Sequence, residues 1–414
     1  MAGPADATDT ARRHPGTPGE VFRAFLRLGL TSFGGPVAHL GYFREAFVVR
    51  RRWLTEKAYA DVVGLCQFLP GPASSQVGMA LGLQRAGYLG LLAAWVGFTL
   101  PSAVLLVAFG YAVSRYGDIS GAGWIDGLKA AAVAVVAQAV LGMARTLTPD
   151  RRRATIAAAA AITALLVGSP LVQVGVIVAT GVVGLLFLRD LAEPAGPADP
   201  PDTDDGDVPA FTVRVSRAVS VIALASYGAL LVVLPLVASV DVLHLFGVFY
   251  RAGALVFGGG HVVLPLLQAQ VVGHGMVGHD DFLAGYGAAQ AVPGPLFTFS
   301  AFLGTVDRGS PSGVEGAAVA LLGIFLPAGL AIVGALPFWQ SLRHSATARC
   351  ALMGVNAGVV GLLAAALYDP VFTEGIPSVR ALAVAIAAFV ALTQWRVPSW
   401  AVVVVAALVG AVVL

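Results

Sequence analysis

The feature that most constrains this chain is a helix break inside apolar sequence. Pro70-Gly71-Pro72 stands within Gln67-Phe68-Leu69-Pro70-Gly71-Pro72-Ala73-Ser74-Ser75-Gln76, with long hydrophobic segments on both sides. Proline lacks a backbone N–H and disfavours helix in the residue before it, and glycine accepts almost any dihedral, so no regular helix runs through the triplet. Hydrophobic residues make up 57% of the chain, charged residues 12%, and the mean hydropathy is +0.83. That is far from the globular balance and marks an all-α polytopic membrane protein. In a bilayer, a break leaves N–H and C=O groups that only protein or a watery cavity can satisfy.

The break recurs. Pro293-Gly294-Pro295 follows Gln290 as Pro70-Gly71-Pro72 follows Gln67, and each triplet is preceded by a second shared phrase, Phe33-Gly34-Gly35-Pro36 and Phe257-Gly258-Gly259-Gly260. Arg27 and Arg251 stand at the same distance before the two phenylalanines; Gly97 and Pro101 match Gly323 and Pro327, and Gly127 matches Gly354. The chain therefore reads as a polar tail (1–18), a first repeat (19–190), an acidic Pro-rich cytoplasmic linker (191–213), a linking transmembrane helix (214–238) and a second repeat (239–414).

The segments around each break are too short to cross a core that takes about 20 residues. They read as re-entrant hairpins at 20–47 and 56–84, with a single kinked spanning helix as the alternative in each place. Conventional spans are predicted at 88–113, 122–147, 153–168, 170–188 and 218–237, then at 314–337, 350–367, 378–394 and 398–414. Arg50 to Arg52, Arg151 to Arg153 and Arg189 mark cytoplasmic loops by the positive-inside rule. The linking helix makes the second half start from the opposite face, giving an inverted repeat with the N-terminus cytoplasmic and the C-terminus outside. Arg380 is the one basic residue that this arrangement leaves on the wrong side.

Inverted repeats with broken helices are a transporter architecture, with cargo at the repeat interface near the midplane. Half-helix starts aim free N–H groups and the positive dipole end inward, which suits an anion. The candidate donors are Ser32, Gly34, Gly35, Gln67, Gly71, Ser74 and Ser75 in the first half and Gly258, Gly259, Gln290, Gly294, Thr298 and Asn356 in the second. Pro36, Pro70, Pro72, Pro293 and Pro295 enforce the breaks. Arg27 and Arg251 are candidate charge partners, since a guanidinium forks onto oxyanion oxygens. Lys129, matched by Asn356, would supply an asymmetric charge, and Glu45, Asp61 and His261 are candidates for carrying coupling protons.

Other classes are constrained by what the sequence holds. A net charge of +2 gives no argument for nucleic acid, and Cys66 and Cys350 have no metal-type spacing. No metal or cofactor is expected. A membrane enzyme would need a catalytic motif, and no HExxH, CxxC, P-loop or GxSxG run occurs. A passive channel stays open.

FGGP followed by PGP, repeated as FGGG and PGP, together with the run from Gly354 to Phe372, resembles the long-chain chromate transporters, whose two homologous halves fill one polypeptide. The resemblance implies a multi-pass carrier of the plasma (inner) membrane that exports chromate, driven by the proton gradient and conferring chromate resistance. It also implies a link to sulfate, a near-isosteric dianion. Sulfate or another tetrahedral oxyanion as the cargo is the alternative, and a homodimer is left open. Gly260 stands where the first half has Pro36, so the two FGG breaks need not be equivalent.

Overall fold

Six of the described helices start where a side chain replaces a missing helical acceptor. Thr17, Thr55, Asp150, Ser216, Ser345 and Ser378 each accept an N–H from the first turn of the helix that follows, which satisfies one of the donors every helix start leaves open. The computed structural model describes residues 16–33, 35–115, 123–167, 170–191, 215–237, 241–257, 263–339 and 345–414; the acidic linker falls outside them. No strand occurs among the described residues.

The first half comprises α1 (Pro18–Thr31), α2 (Gly35–Phe43, continued by a π-helical stretch Arg44–Arg50), α3 (Glu56–Phe68), α4 (Ala73–Arg115), α5 (Gly123–Leu147), α6 (Arg151–Leu166) and α7 (Pro170–Phe187). The linking helix is α8 (Arg217–Val233) with a 3-10 turn Leu234–Val237. The second half comprises α9 (Asp241–Ala254), α10 (Val263–Val271), α11 (His279–Ala291), α12 (Phe299–Val306, after a 3-10 turn Leu296–Thr298), α13 (Gly313–Ala335), α14 (Ala346–Ala366), α15 (Val379–Thr393) and α16 (Ser399–Val413).

Helix stops before each FGG sequence, at Thr31 and at Ala254, and both PGP triplets interrupt it. α4 is itself two pieces, because Ala86 (φ −145°, ψ 27°) and Gly87 (φ 66°, ψ −157°) leave helical geometry. The short piece after Pro72 folds back against the crossing piece, and a side chain on Gly82 or Gly90 would collide with the other's carbonyl. The second half repeats this contact with Gly304 on α12 and Gly316 on α13.

The two faces of the bundle follow from ion pairs and capping contacts. Arg85 bonds Glu20 (3.0 Å) and lies over the Trp53 ring in the loop between the hairpins (5.0 Å), and Arg44 bonds Glu56 (2.6 Å), so both first-half hairpins begin and end on one face. α4 then crosses. Lys129, near the start of α5 on the other face, meets Asp280 in the first turn of α11, so the second-half hairpin starts from the face opposite to its first-half counterpart. The halves are inverted. Arg380 finds its reason here: its guanidinium donates to the Val413 carbonyl at the end of α16 (3.3 Å), a favourable place for a cation.

The halves also exchange packing partners. α6 and α7 pack on α14 of the second half, and α15 and α16 pack on α5 of the first. Glycines permit the approach: a Cβ on Gly127 would meet the Ala406 backbone, and one on Gly184 the Cys350 carbonyl. Five described helices are long and apolar enough to cross a bilayer, namely α4, α5, α8 with its 3-10 turn, α13 with its following turn, and α14 with its π extension. α15 and α16, of 15 residues each, reach only about 22 Å, less than a bilayer core of about 30 Å. Leu89, Leu92, Leu100 and Val104 on α4 and Ile222 and Val232 on α8 are exposed, as lipid-facing positions require.

Candidate functional site

The four breaks are joined in crossed pairs. The amide of Gly71 donates to the Val256 carbonyl (2.7 Å), and the amide of Gly294 donates to the Ser32 carbonyl (2.9 Å). Ser32 and Val256 occupy the same repeat position, directly before the break phenylalanine. Each PGP triplet of one half is thus stitched to the FGG break of the other, by a backbone group that the break itself frees. Gly71 (φ 122°) and Gly294 (φ 99°) adopt left-handed conformations that favour glycine.

Around this crossing lie buried polar groups whose bonding is incomplete. α4 starts at Ala73, and its first-turn amides have no carbonyl one turn back within the helix. Ser74 and Ser75 stand in that turn, both buried. His39 of α2 is 1% exposed; its Nδ1 lies 3.4 Å from the Ser74 Oγ, its ring packs edge-on against Phe98 at 5.2 Å, and it faces the Ser32 carbonyl. Gln76 donates through Nε2 to the Pro70 carbonyl (2.8 Å), holding the break open. Ser102 donates to the Thr99 carbonyl (3.0 Å), and its Oγ would lie 2.8 Å from a Cβ on Gly294. The Ser32 Oγ, Ser75 Oγ, Thr99 Oγ1, His39 Nε2, Gln76 Oε1 and Gln290 Nε2 are buried without a hydrogen-bond partner. An unpartnered buried polar atom costs about 1–3 kcal/mol, so such a concentration at one crossing marks a place for a polar ligand.

Of the residues singled out by sequence, Ser32, Gly71, Ser74, Ser75, Gly294 and Gln290 gather at or beside the breaks. Gly35 (φ 79°) opens α2 with nothing near its Cβ position. Pro36 and Pro70 are half-buried, and Pro72, Pro293 and Pro295 are buried. Thr298 is buried, but its hydroxyl turns back to the Pro295 carbonyl (2.7 Å). Asn356 is half-buried on α14 and Gln67 is exposed at the end of α3. Gly34, Gly258, Gly259 and His261 lie outside the described residues.

The charged candidates are dispersed. Arg27 is exposed on α1 and Arg251 is half-buried on α9. Lys129 is buried but already paired, with Asp126 at 3.3 Å and Asp280 at 2.6 Å. Glu45 is exposed and bonds Arg50 (2.9 Å). Asp61 is half-buried on α3. Sequence reasoning missed His39, Gln76, Thr99 and Ser102. The signal that would have found them is a contrast between halves, for their repeat counterparts Val263, Phe299, Phe325 and Ala328 are all apolar. A separate cavity of about 410 Å³, lined in part by Gln173, Gln268, His274, His279 and Asp369, shares no residue with the crossing.

Comparison with known proteins fits this paired architecture. The family model described as chromate transporter matches residues 19–185 and again 243–411, one match to each half. The chain belongs to the chromate transporter family. A chromate transport protein of Pseudomonas aeruginosa is 30% identical over 383 residues, covering 90% of this chain and 86% of the relative. A probable chromate transport protein of Synechococcus elongatus is 28% identical over 410 residues, 95% of each chain, and a chromate transport protein of Cupriavidus metallidurans is 27% identical over 375 residues, 88% of this chain and 86% of the relative. No solved structure matches the chain.

Proposed function

We propose that this protein carries chromate across the membrane and holds it at the crossing of the four breaks. The observation that carries this reading is the reciprocal pair Gly71 to Val256 and Gly294 to Ser32, beside which buried hydroxyl, amide and imidazole atoms stand unpartnered. A tetrahedral oxyanion needs several N–H and O–H donors converging from different directions, and a half-helix start with two serines in its first turn supplies them. Ser32, Ser74, Ser75 and the first-turn amides of α4 are the donors on the first-half side; Gly294, Gln290 and the 3-10 turn containing Thr298 close the other. Arg251, six residues before the second break phenylalanine and half-buried where Arg27 is exposed, is the better placed of the two repeated arginines to share the anion's charge. Sulfate offers the same geometry and is the natural competitor.

In this reading the protein is a multi-pass carrier of the plasma (inner) membrane, its N-terminus cytoplasmic and its C-terminus outside, exporting chromate at the expense of the proton gradient and so conferring resistance. The test is radiolabelled chromate uptake into inverted vesicles with an imposed pH gradient. Uptake above that of vesicles lacking the protein, inhibited by excess sulfate and lost when the gradient is collapsed, is expected. Flux unaffected by the collapse would identify a passive channel, and no flux above background would overturn the cargo.

Orientation has its own test. Cys66 and Cys350 are both buried, so single cysteines introduced at Arg51 and at Gly275 can be read with an impermeant thiol reagent against a quiet background. Only the cysteine at 275 is expected to label from outside intact cells. Labelling of both from the same side would contradict the inverted arrangement.

A further inference from the structure

The backbone at the crossing is twofold, but its side chains are not. Six residues after the break phenylalanine the first half has His39 and the second Val263; four residues after the triplet's last proline they have Gln76 and Phe299; two residues before the helical proline they have Thr99 and Phe325. Val263, Phe299 and Phe325 are fully or almost fully buried. The second half's own hydroxyls are already used, Thr298 on the Pro295 carbonyl (2.7 Å) and Ser300 on the Phe297 carbonyl (2.8 Å). The first-half side of the crossing therefore carries most of the unpartnered polar atoms, and the mirror-related positions are apolar, with Gln290 the unpartnered polar group that the second half brings to it. Such a site accepts one anion, on the first-half side.

Its charge is the difficulty. A dianion entering a low-dielectric site needs compensating positive charge as well as neutral donors. Lys129 is committed to Asp126 and Asp280, Arg27 is exposed, and Arg251, in the cargo reading above, would supply one unit. The groups that face His39 are the Ser32 carbonyl from the first break, Ser74 and Phe98 from α4, and, beside it, the Tyr59 hydroxyl of α3, which is donated to the Leu40 carbonyl (2.6 Å). None of these is a cation, and none is a carboxylate. The surroundings therefore offer the ring no carboxylate to share a charge with, and an anion arriving beside it favours the charged form.

Resting on the cargo reading above, we propose that His39 takes up a proton as the oxyanion binds, so that one side chain is both part of the anion site and the coupling group. Its Nδ1 faces the Ser74 hydroxyl and its unpartnered Nε2 is the atom that gains or presents the hydrogen to the anion. One N–H bond forms at the ring as one O–H bond of hydronium breaks, leaving water, on whichever face the site is open. The sign follows: anion binding raises the histidine's proton affinity, so binding strengthens as pH falls and weakens as pH rises through the titration of the free ring.

The test counts protons on the full-length protein in detergent or nanodiscs. Sulfate binding is measured by calorimetry in two buffers of different ionisation enthalpy, between about pH 6 and about pH 9, where sulfate itself does not titrate but histidine does. Chromate is measured only at the alkaline end, where it is the dianion. Wild type is expected to take up protons on binding the anion, most at the acid end, with affinity falling by up to about tenfold per pH unit until the pH passes the titration of the anion-bound ring. His39→Gln, which keeps a donor of similar size, is expected to bind more weakly at the acid end, with no proton uptake and a flat pH profile. His39→Arg is expected to bind without proton uptake at any pH. Anion binding by wild type with no proton uptake, or uptake unchanged in His39→Gln, would overturn the proposal while leaving the carrier intact. No binding of either anion to wild type would overturn the cargo reading and this proposal with it.

Discussion

Gly294→Ala is expected to lower stability by about 2 to 4 kcal/mol and to abolish most transport, because two independent costs coincide there. The residue has φ 99°, where an L side chain is strained by about 1–3 kcal/mol. Its Cβ would also sit 2.8 Å from the Ser102 Oγ and 3.1 Å from the Phe98 carbonyl, an overpacking that costs about 1–3 kcal/mol where the backbone must move. Any relief shifts the Gly294 amide away from the Ser32 carbonyl and loosens one of the two stitches between the halves. Two controls separate these terms. Gly35→Ala, at φ 79° with nothing near its Cβ position, bears the strain alone and is expected to cost about 1 kcal/mol. Gly71→Ala, whose neighbours are the end of the Gln76 side chain at 3.0 Å and Ala328 at 3.3 Å, should fall between them. Ser102→Ala, which installs the residue found at the matching position 328, should recover part of the Gly294→Ala loss. Thermal unfolding in detergent reads all four; equal losses at the three glycines, or no recovery with Ser102→Ala, would show that the crossing is not packed as described.

Much of the architecture could be read before any coordinates because bilayers leave few options. Apolar length announces the spans: the segments expected at 122–147 and 314–337 are observed as α5 (Gly123–Leu147) and α13 (Gly313–Ala335). Proline and glycine announce the breaks, since they act locally and need no partner. The re-entrant hairpins, and not single kinked helices, follow from contacts that sequence does not display, such as Arg85 with both Glu20 and the Trp53 ring. The crossed pairing of Gly71 with Val256 and Gly294 with Ser32 was also invisible. A backbone amide carries no sequence signature, and repeat matching says only that two places are alike, not that each meets the other's neighbour.

His39 was passed over for a related reason. In the sequence, the ionisable groups that stand out lie beside the motifs and in matched positions, as Arg27 and Arg251 do. A histidine whose repeat partner is a valine looks like drift. It becomes informative only once α2 is seen to carry it against the start of α4, and once Val263, Phe299 and Phe325 are seen to make the other side apolar. Symmetry located the crossing, whereas the departures from symmetry describe what the crossing can bind. Glu45 shows the converse: an acid near a hairpin satisfied the sequence criterion, yet it is exposed and bonded to Arg50.

Lys129→Ala is expected to destabilise the protein by about 2 to 3 kcal/mol, with a smaller direct effect on anion affinity. The side chain is 5% exposed and its ammonium bridges Asp126 of its own helix and Asp280 of α11, so it ties the first half to the second. Removing one partner of a buried pair costs about 3–5 kcal/mol because the remaining charge is stranded; Asp280 is about half exposed and can recover water, which lowers the figure. The triad reading predicts strong non-additivity. Lys129→Met with Asp126→Asn and Asp280→Asn removes all three charges together and should be closer to wild type in stability than Lys129→Met alone. If Lys129 instead contributed its charge to chromate, the triple variant would rescue nothing in transport, and Lys129→Met would raise the apparent Michaelis constant with unfolding temperature unchanged. Measuring melting temperature and concentration-dependent uptake on the same preparations separates the two, since a tie between halves moves the first and a substrate ligand moves the second.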